Sequence, residues 1–342
     1  LIILTEGHSN PVAAKTACCI LRYRPEEVVA LLDQSQAGRK SEELFGVGGA
    51  TPIVARLDDA PEANTLLIGI APSGGRIPQA WRAVILEALD RGMDVVSGLH
   101  EFIADDQQFA AAAQKSGANI VDVRKNNEHD VSHRKGLREE CLRIHTVGQD
   151  CSIGKMLVAV ELTNALKADG QDAKFIATGQ TGIMVEGDGV PIDRVIADFV
   201  AGAIEKQVLA HQHHEILVVE GQGSLSHPRY SAVTLGLLHG CAPHGMILCY
   251  EPGRTHVHGM EYIELKPLDH LLNVYETMAN LVSPSKVIGI AINSRRLDDE
   301  QAARERERVS REFGLPACDV IRDGADDLVQ AILALKPAAA VR

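Results

Sequence analysis

The residues best placed to do chemistry lie between Gly148 and Met156, in the string G-Q-D-C-S-I-G-K-M. An apolar run reaches Thr146 and Val147 just before it, and a helical pattern opens at Lys155. Strand, glycine-framed loop, Gly-Lys, then helix is the physical recipe for a phosphate cradle. The loop N–H groups converge on an anion, the lysine adds a point charge, and the helix start adds its partial positive charge. The usual pattern is G-x-x-x-x-G-K-[ST]; counted back from Gly154, its first glycine falls on Gln149. Read from Gly148, the loop is one residue longer. Met156 occupies the place of the hydroxyl that would ligate magnesium. A thioether is a soft, weak acceptor and does not replace a hard oxygen ligand. The spacing therefore predicts a site for phosphates that are bound rather than cleaved, as in coenzyme A, with no Mg²⁺ at the loop and no other metal. The cradle residues are Gly148, Gln149, Asp150, Cys151, Ser152, Gly154, Lys155 and Met156. Cys151 reads as a small residue tolerated in a tight turn rather than as a nucleophile.

In open α/β sheets ligands bind beyond the carboxyl ends of the strands. Three such ends are rich in polar groups. After AKFIA come Thr178, Gly179, Gln180 and Thr181, with Glu186, Asp188, Asp193 and Asp198 further on. After EILVV come Glu220, Gly221, Gln222, Gly223, Ser224, Leu225, Ser226, His227, Pro228 and Arg229. After GMILCY come Glu251, Pro252, Gly253 and Arg254. Glu220 ends a hydrophobic strand, where it is either a base, an ammonium ligand or a capped structural carboxylate. Arg229 or Arg254 could grip a carboxylate through two parallel bonds. His227 is a candidate proton carrier. Gln180, Thr181, Gln222 and Ser224 complete the substrate-facing candidates. His211, His213 and His214 read as helix C-terminal histidines rather than metal ligands.

Elements that position these groups follow from the pattern of the whole chain. Its 342 residues and 45% hydrophobic content suit two α/β domains. The first half alternates strand-like and helix-like segments: strands over 1–7, 27–33, 65–70, 94–99 and 119–123, with helices over 12–22, 78–92 and 102–115. Alternation of this kind predicts a parallel, Rossmann-like sheet over residues 1–125. Asp33 sits where an acid would hold a ribose, but the first turn reads E-G-H-S-N-P-V, without the dinucleotide glycines. The GVGG at Gly46 to Gly49 follows no predicted strand and opens no helix. Residues 126–140 are polar, charged and aperiodic, and predict a linker. Residues 141–342 alternate again, with strands over 173–179, 215–221, 245–253 and 286–293. Helices are expected over 192–209, 268–281 and 300–313, and a final strand and helix over 317–335.

A net charge of −12 argues against general affinity for nucleic acid or anionic membranes. Seven cysteines without C-x-x-C spacing read as reduced thiols. No apolar run is long enough to span a bilayer, and LIILTEG lacks a basic leader. These features predict a cytoplasmic protein.

The longer phosphate loop resembles that of the dethiobiotin-synthetase-like branch of P-loop proteins. Longer strings point further: ATGQTGI with IDRVIADFVAGAIE, VVEGQGSLSHPRYSAVTLGLLHG, the EPGR turn, and, in the first half, APSGGRIP and VSGLHEFIADD. Together they resemble the D-glutamate N-acetyltransferase family, formerly a domain of unknown function, along nearly the whole chain. The resemblance implies a Rossmann-like domain joined to a P-loop, dethiobiotin-synthetase-like domain. It also implies acetyl transfer from acetyl-CoA to the amino group of D-glutamate in D-amino-acid catabolism, by a homo-oligomer. Under it, Gly148, Gly154 and Lys155 face the phosphates, Asp193 or Glu220 is the base, and Arg229 or Arg254 grips substrate. Asp150 could hold the amine. His244 departs from the family, where an acid is expected. The competing expectations are an ATP-dependent ligase, which Met156 counts against, and a nucleotide- or CoA-binding protein without turnover.

Overall fold

The computed structural model describes residues 1–71 and 74–336, so Pro72 and Ser73 of the APSGGRIP string lie outside the described residues. The chain forms two compact units: Leu1–Asn126 with Ile183–Gly187, and Asn127–Gly182 with Asp188 onward.

The first unit carries six strands: β1 (Ile2–Leu4), β2 (Ala30–Leu32), β3 (Ile53–Val54), β4 (Thr65–Ile68), β5 (Asp94–Ser97) and β6 (Ile120–Asp122). All pair in parallel, in the order β3-β2-β1-β4-β5-β6. That is the doubly wound Rossmann order, with its switch point between β1 and β4. Helices α1 (Lys15–Tyr23), α2 (Ser41–Phe45), α3 (Arg82–Asp90) and α4 (Gln107–Ser116) connect the strands. The core gathers Ile3, Leu4, Ile20, Leu21, Trp81 and Phe109, all but fully buried. β1 and β2 are buried end to end, as strands covered on both faces require. The first helix begins three residues later than the pattern predicts, because Asn10 organises a turn ahead of it. The Asn10 side-chain oxygen accepts the N–H groups of Val12 and Ala13. The GVGG string closes α2, with Gly46 in the left-handed conformation at its end.

The second unit is built on β7 (Leu142–Gly148), β8 (Ala173–Ile176), β9 (Ile216–Val219), β10 (Gly245–Tyr250), β13 (Lys286–Ile292) and β14 (Ala317–Cys318). A short antiparallel pair, β11 (His256–Val257) with β12 (Met260–Glu264), stands apart from it. The main sheet is parallel and ordered β14-β13-β10-β7-β9-β8. Helices α5 (Lys155–Ala168), α6 (Gln180–Glu186), α7 (Val200–His211), α8 (Ser231–Cys241), α9 (Leu268–Asn280), α10 (Asp299–Phe313) and α11 (Asp326–Leu333) join the strands. β7 is central, and all seven of its residues are buried.

Several segments differ from the sequence reading: α2, β3, α6 and the β11–β12 pair were not expected, and two helices of the second unit depart from it. The helix expected from 192 starts only at Val200, after single 3-10 turns at Ile192–Arg194 and Ala197–Phe199. α8 escaped prediction because its face pattern is nearly uniform: Leu237, Leu238 and Cys241 are buried with Thr234 and Gly240. A helix apolar on every side carries little periodicity to read. The polar stretch from 127 is laid along α7. Glu205 accepts the N–H groups of His133 and Arg134 and the Ser132 hydroxyl. Gly202 leaves room for the Asp130 carbonyl, which would lie 1.9 Å from any Cβ there.

Candidate functional site

The carboxyl end of β7 opens directly into the predicted cradle. Gly148 is required there: a Cβ would lie 2.6 Å from Ile153 Cδ1 and 3.2 Å from the Cys249 carbonyl. The buried Tyr275 hydroxyl donates to Gly148 O at 2.8 Å and accepts Leu225 N–H at 3.2 Å, tying the loop to α9. Ser152 (φ 56°) and Gly154 (φ 101°) turn the backbone through left-handed conformations into α5. The first N–H groups of that helix have no intrahelical partner and carry the positive end of its dipole. Lys155 folds back inside the loop, its ammonium donating to Asp150 O at 2.7 Å. Burial lowers its pKa, so an arriving anion would strengthen a charge held at some cost.

Asp150 is fully buried and multiply held. Its carboxylate accepts Cys151 N–H at 2.7 Å, His258 N–H at 2.8 Å and Arg254 Nη1 at 2.9 Å. Arg254 also donates to the Cys151 carbonyl at 3.0 Å and to the buried Glu251. The turn after β10 is therefore bolted to the phosphate loop by a guanidinium between two carboxylates. Of the roles considered for Asp150 and Arg254, this geometry favours support of the loop over direct grip on a substrate.

The loop after β9 presses on the same cradle. Ser224 and Ser226 hydroxyls both donate to Gln149 O, at 3.1 and 3.2 Å. Gly221 passes so close to β7 that a Cβ would overlap the Thr146 carbonyl at 1.7 Å. Glu220 accepts Thr178 N–H at 2.8 Å, Gly179 N–H at 3.0 Å and Gln222 Nε2 at 2.9 Å. It thereby holds the backbone that enters α6, where Gln180 and Thr181 are buried. Asp193 is exposed, on the 3-10 turn at Ile192–Arg194. Arg229 is exposed too, with one guanidinium bond to the Gly259 carbonyl at 3.2 Å.

His227 is wholly buried. Its Nδ1 accepts Arg229 N–H at 3.2 Å, which places the ring proton on Nε2, facing His258 O at 3.3 Å and Asp150 at 3.9 Å. The donor atoms of Asp150, Cys151 and His227 lie within 4.8 Å of one another. A metal ligand would need Nε2 bare and a hydrogen on Nδ1, donated to an acceptor; here Nδ1 faces a donor. Burial first, then Asp150, raises the Cys151 thiol pKa. Within the trio only the Cys151 N–H bonds Asp150, each member being held chiefly by other residues, and the thiol is a poor nucleophile near neutrality.

Sequence reading missed several members of this site. Glu251 was seen at its strand end but given no part; Asn293, Arg295, Arg296, His258 and Tyr275 were not singled out. Asn293 Nδ2 donates to Ile153 O at 3.0 Å, so the end of β13 also touches the phosphate loop. Reading N-S-R-R as a fourth strand end would have found three of them. His244, the expected departure, lies against the buried Arg143. It accepts Arg143 N–H at 3.0 Å and meets its guanidinium at 3.3 Å and Glu139 at 3.2 Å.

The chain matches two family models: residues 34–126 a "DUF1611_N Rossmann-like domain" and residues 128–329 a "DUF1611_C P-loop domain", both of unknown function. It is 38% identical over 326 residues to a D-glutamate N-acetyltransferase of Tritonibacter scottomollicae, covering 95% of each chain. A D-glutamate N-acetyltransferase of Pseudoalteromonas sp. is 38% identical over 268 residues, 78% of this chain and 80% of the relative. The crystal structure of a DUF1611 family protein from Anabaena variabilis superposes with a TM-score of 0.92 at 38% identity, covering 97% of this chain and 98% of that one.

Proposed function

We propose acetyl transfer from acetyl-CoA to the amino group of D-glutamate, or a similar acidic D-amino acid, for this chain, which belongs to the DUF1611 family. The observation that carries the reading is similarity, along nearly the whole chain, to relatives named for that reaction. The phosphate loop agrees with it. A cradle with a buried lysine, a helix start and Met156 in place of a hydroxyl suits a diphosphate that stays intact.

The reaction has a simple balance. The substrate amine attacks the thioester carbonyl, the C–S bond breaks, and the amine proton passes through a base while the CoA thiolate leaves. Two carboxylates were candidates for the base. Glu220 is committed to three N–H donors, whereas Asp193 is exposed. We assign proton removal to Asp193 and the positioning of α6 to Glu220. Arg229, on the exposed rim of the loop after β9, is the better grip for the substrate carboxylates, since Arg254 already bridges Asp150 and Glu251. The enzyme acts as a homo-oligomer in the cytoplasm. Among the described residues no helix is long and apolar enough to cross a membrane.

The test is thiol release from acetyl-CoA with each D- and L-amino acid, with mass detection of the product. D-glutamate is expected to give N-acetyl-D-glutamate at the highest kcat/KM. Asp193→Asn is expected to lower kcat about 100-fold or more, the usual share of a general base. Glu220→Gln is expected to lower the melting temperature with a smaller loss of kcat. Absence of turnover with every amino acid, alongside Mg-dependent binding of ATP, would reverse the assignment.

A further inference from the structure

A group of arginines beyond the cradle has no place in the scheme so far. Glu251 directly follows β10 with its side chain entirely buried, and three guanidiniums converge on it. Arg254 takes one oxygen, with Nε at 2.9 Å. Arg295 and Arg296 share the other, with Nη2 and Nε at 3.0 Å respectively. Even with Asp150 counted as a second partner of Arg254, three positive charges meet two negative ones. The contrast with nearby α10 is instructive. There Arg304 pairs with Glu300, and Arg308 with Glu305 and Glu312, so neither of these two shares its acid with a third guanidinium. Arg295 and Arg296 keep 48% and 65% of their side-chain surface exposed while being aimed by a carboxylate out of water's reach. In a chain of net charge −12 this is a fixed, outward-facing positive spot.

Its location ties it to the phosphate loop. Arg295 follows Asn293, which donates to Ile153 O in the loop, and Arg254 links Glu251 to Asp150 and the Cys151 carbonyl. Beside the spot lies an open groove of about 410 Å³, whose lining includes Gly253, Leu297, Gln301, Arg304, Glu305 and Arg308. A coenzyme A whose diphosphate occupies the loop carries a second, separate dianion, the 3′-phosphate, on the same ribose. The amino-acid carboxylates, by contrast, must lie at the thioester, at the far end of the pantetheine arm.

We propose that Arg295 and Arg296, oriented by the buried Glu251, are the 3′-phosphate seat of the donor and make the site selective for CoA over its 3′-dephospho form. This rests on the acetyl-CoA reading above. Calorimetric titration of the full chain with CoA and with 3′-dephospho-CoA tests it, repeated on Arg295→Gln/Arg296→Gln and Arg295→Lys/Arg296→Lys. The intact chain is expected to bind CoA about ten- to a hundredfold tighter, as charge-assisted bonds to one phosphate imply. The Gln pair is expected to lose that preference and keep its affinity for 3′-dephospho-CoA, while melting lower because the buried Glu251 loses the partners of one oxygen. The Lys pair is expected to recover part of the preference. Equal binding of the two ligands by the intact chain overturns the seat while leaving the donor assignment standing. Failure of both ligands to bind overturns the donor assignment and the seat with it. Variants that keep the CoA preference but lose D-glutamate saturation overturn the seat and move the arginines to the amino-acid pocket.

Discussion

Two parallel sheets, each with a central strand running into a loop and a helix, treat that loop in opposite ways. After β7 the backbone turns through left-handed Ser152 and Gly154 and leaves the start of α5 facing a buried lysine. After β1 the corresponding turn is closed from within. Asn10 takes the N–H groups of Val12 and Ala13, and Asp33, at the ribose position after β2, is held by Ser9 and by the Ser35 N–H and hydroxyl. The Rossmann order places a crevice at the β1/β4 switch point, but the side chains there already satisfy one another. Strand order alone does not make a nucleotide site; unpaired donors and a fixed charge at the loop do.

The sharpest test of that contrast is to unpair each sheet's buried acid in turn. Arg254→Gln leaves Asp150 and Glu251 without their shared guanidinium. Loss of one partner from a buried pair costs about 3–5 kcal/mol, and chemical denaturation of the variant should show a loss of that order. Asp33→Asn removes a charge bonded only to neutral donors and should cost about 1–2 kcal/mol. Equal losses would show that the two strand ends are held alike.

Acid should also act strongly on the second unit. Burial lowers the pKa of His145, on β7, from 6.5 to about 4, and burial followed by Arg143 lowers that of His244. The folded state thus resists a proton that the unfolded chain accepts. Stability is fully present above pH 6.5 and falls as pH drops toward 4, by up to about 3 kcal/mol from His145 alone. In the first unit, burial raises the Asp122 pKa, which works in the opposite sense: its folded form gains as pH falls through that raised value. Denaturation at pH 7 and pH 5, followed by hydrogen exchange in each unit, should show the second unit losing protection first. Substituting Leu for His145 should flatten the slope.

How much of this was readable beforehand follows the same division. Local rules announced the β7–loop–α5 unit, since Gly148, Gly154 and Lys155 carry their roles in residue type and spacing. Alternating apolar runs announced both parallel sheets. What pairs with what across strand ends was not legible. Glu251, Asn293 and Arg295 are brought to the cradle by the order β13-β10-β7, which no local pattern encodes. Glu220 could be read as base or cap, and only the placement of Thr178 and Gly179 N–H groups on its carboxylate favours the second. α8 stayed hidden because small and apolar residues run around all its faces and leave little periodicity, and the start of α7 because Pro191 and two 3-10 turns come first.

Within the cradle, Lys155→Met keeps the aliphatic stem and removes the charge. Affinity for CoA should fall about a hundredfold, equivalent to about 2.7 kcal/mol, by calorimetric titration. The fold should survive, because burial already works against the ammonium. Unchanged affinity would mean that the donor's phosphates lie elsewhere and that the open loop is only a turn.

The smallest effect is the most discriminating for the comparison. Asn10→Ala reopens the turn after β1 by freeing the Val12 and Ala13 N–H groups, at a stability cost of about 1 kcal/mol, as for loss of a capping side chain. If a charge held inside the loop as well as free amides is needed to hold a phosphate, the reopened turn stays blind to CoA, because Lys15, which opens α1 as Lys155 opens α5, is exposed rather than buried within its turn. Titration of the Asn10→Ala/Lys155→Met double variant isolates this, since the second unit's contribution is then largely removed. Residual CoA binding no greater than in Lys155→Met alone is the expected result. A measurable gain would show that Asn10 is a plug over a working anion site, and that the two sheets differ by one side chain rather than by design of the whole loop.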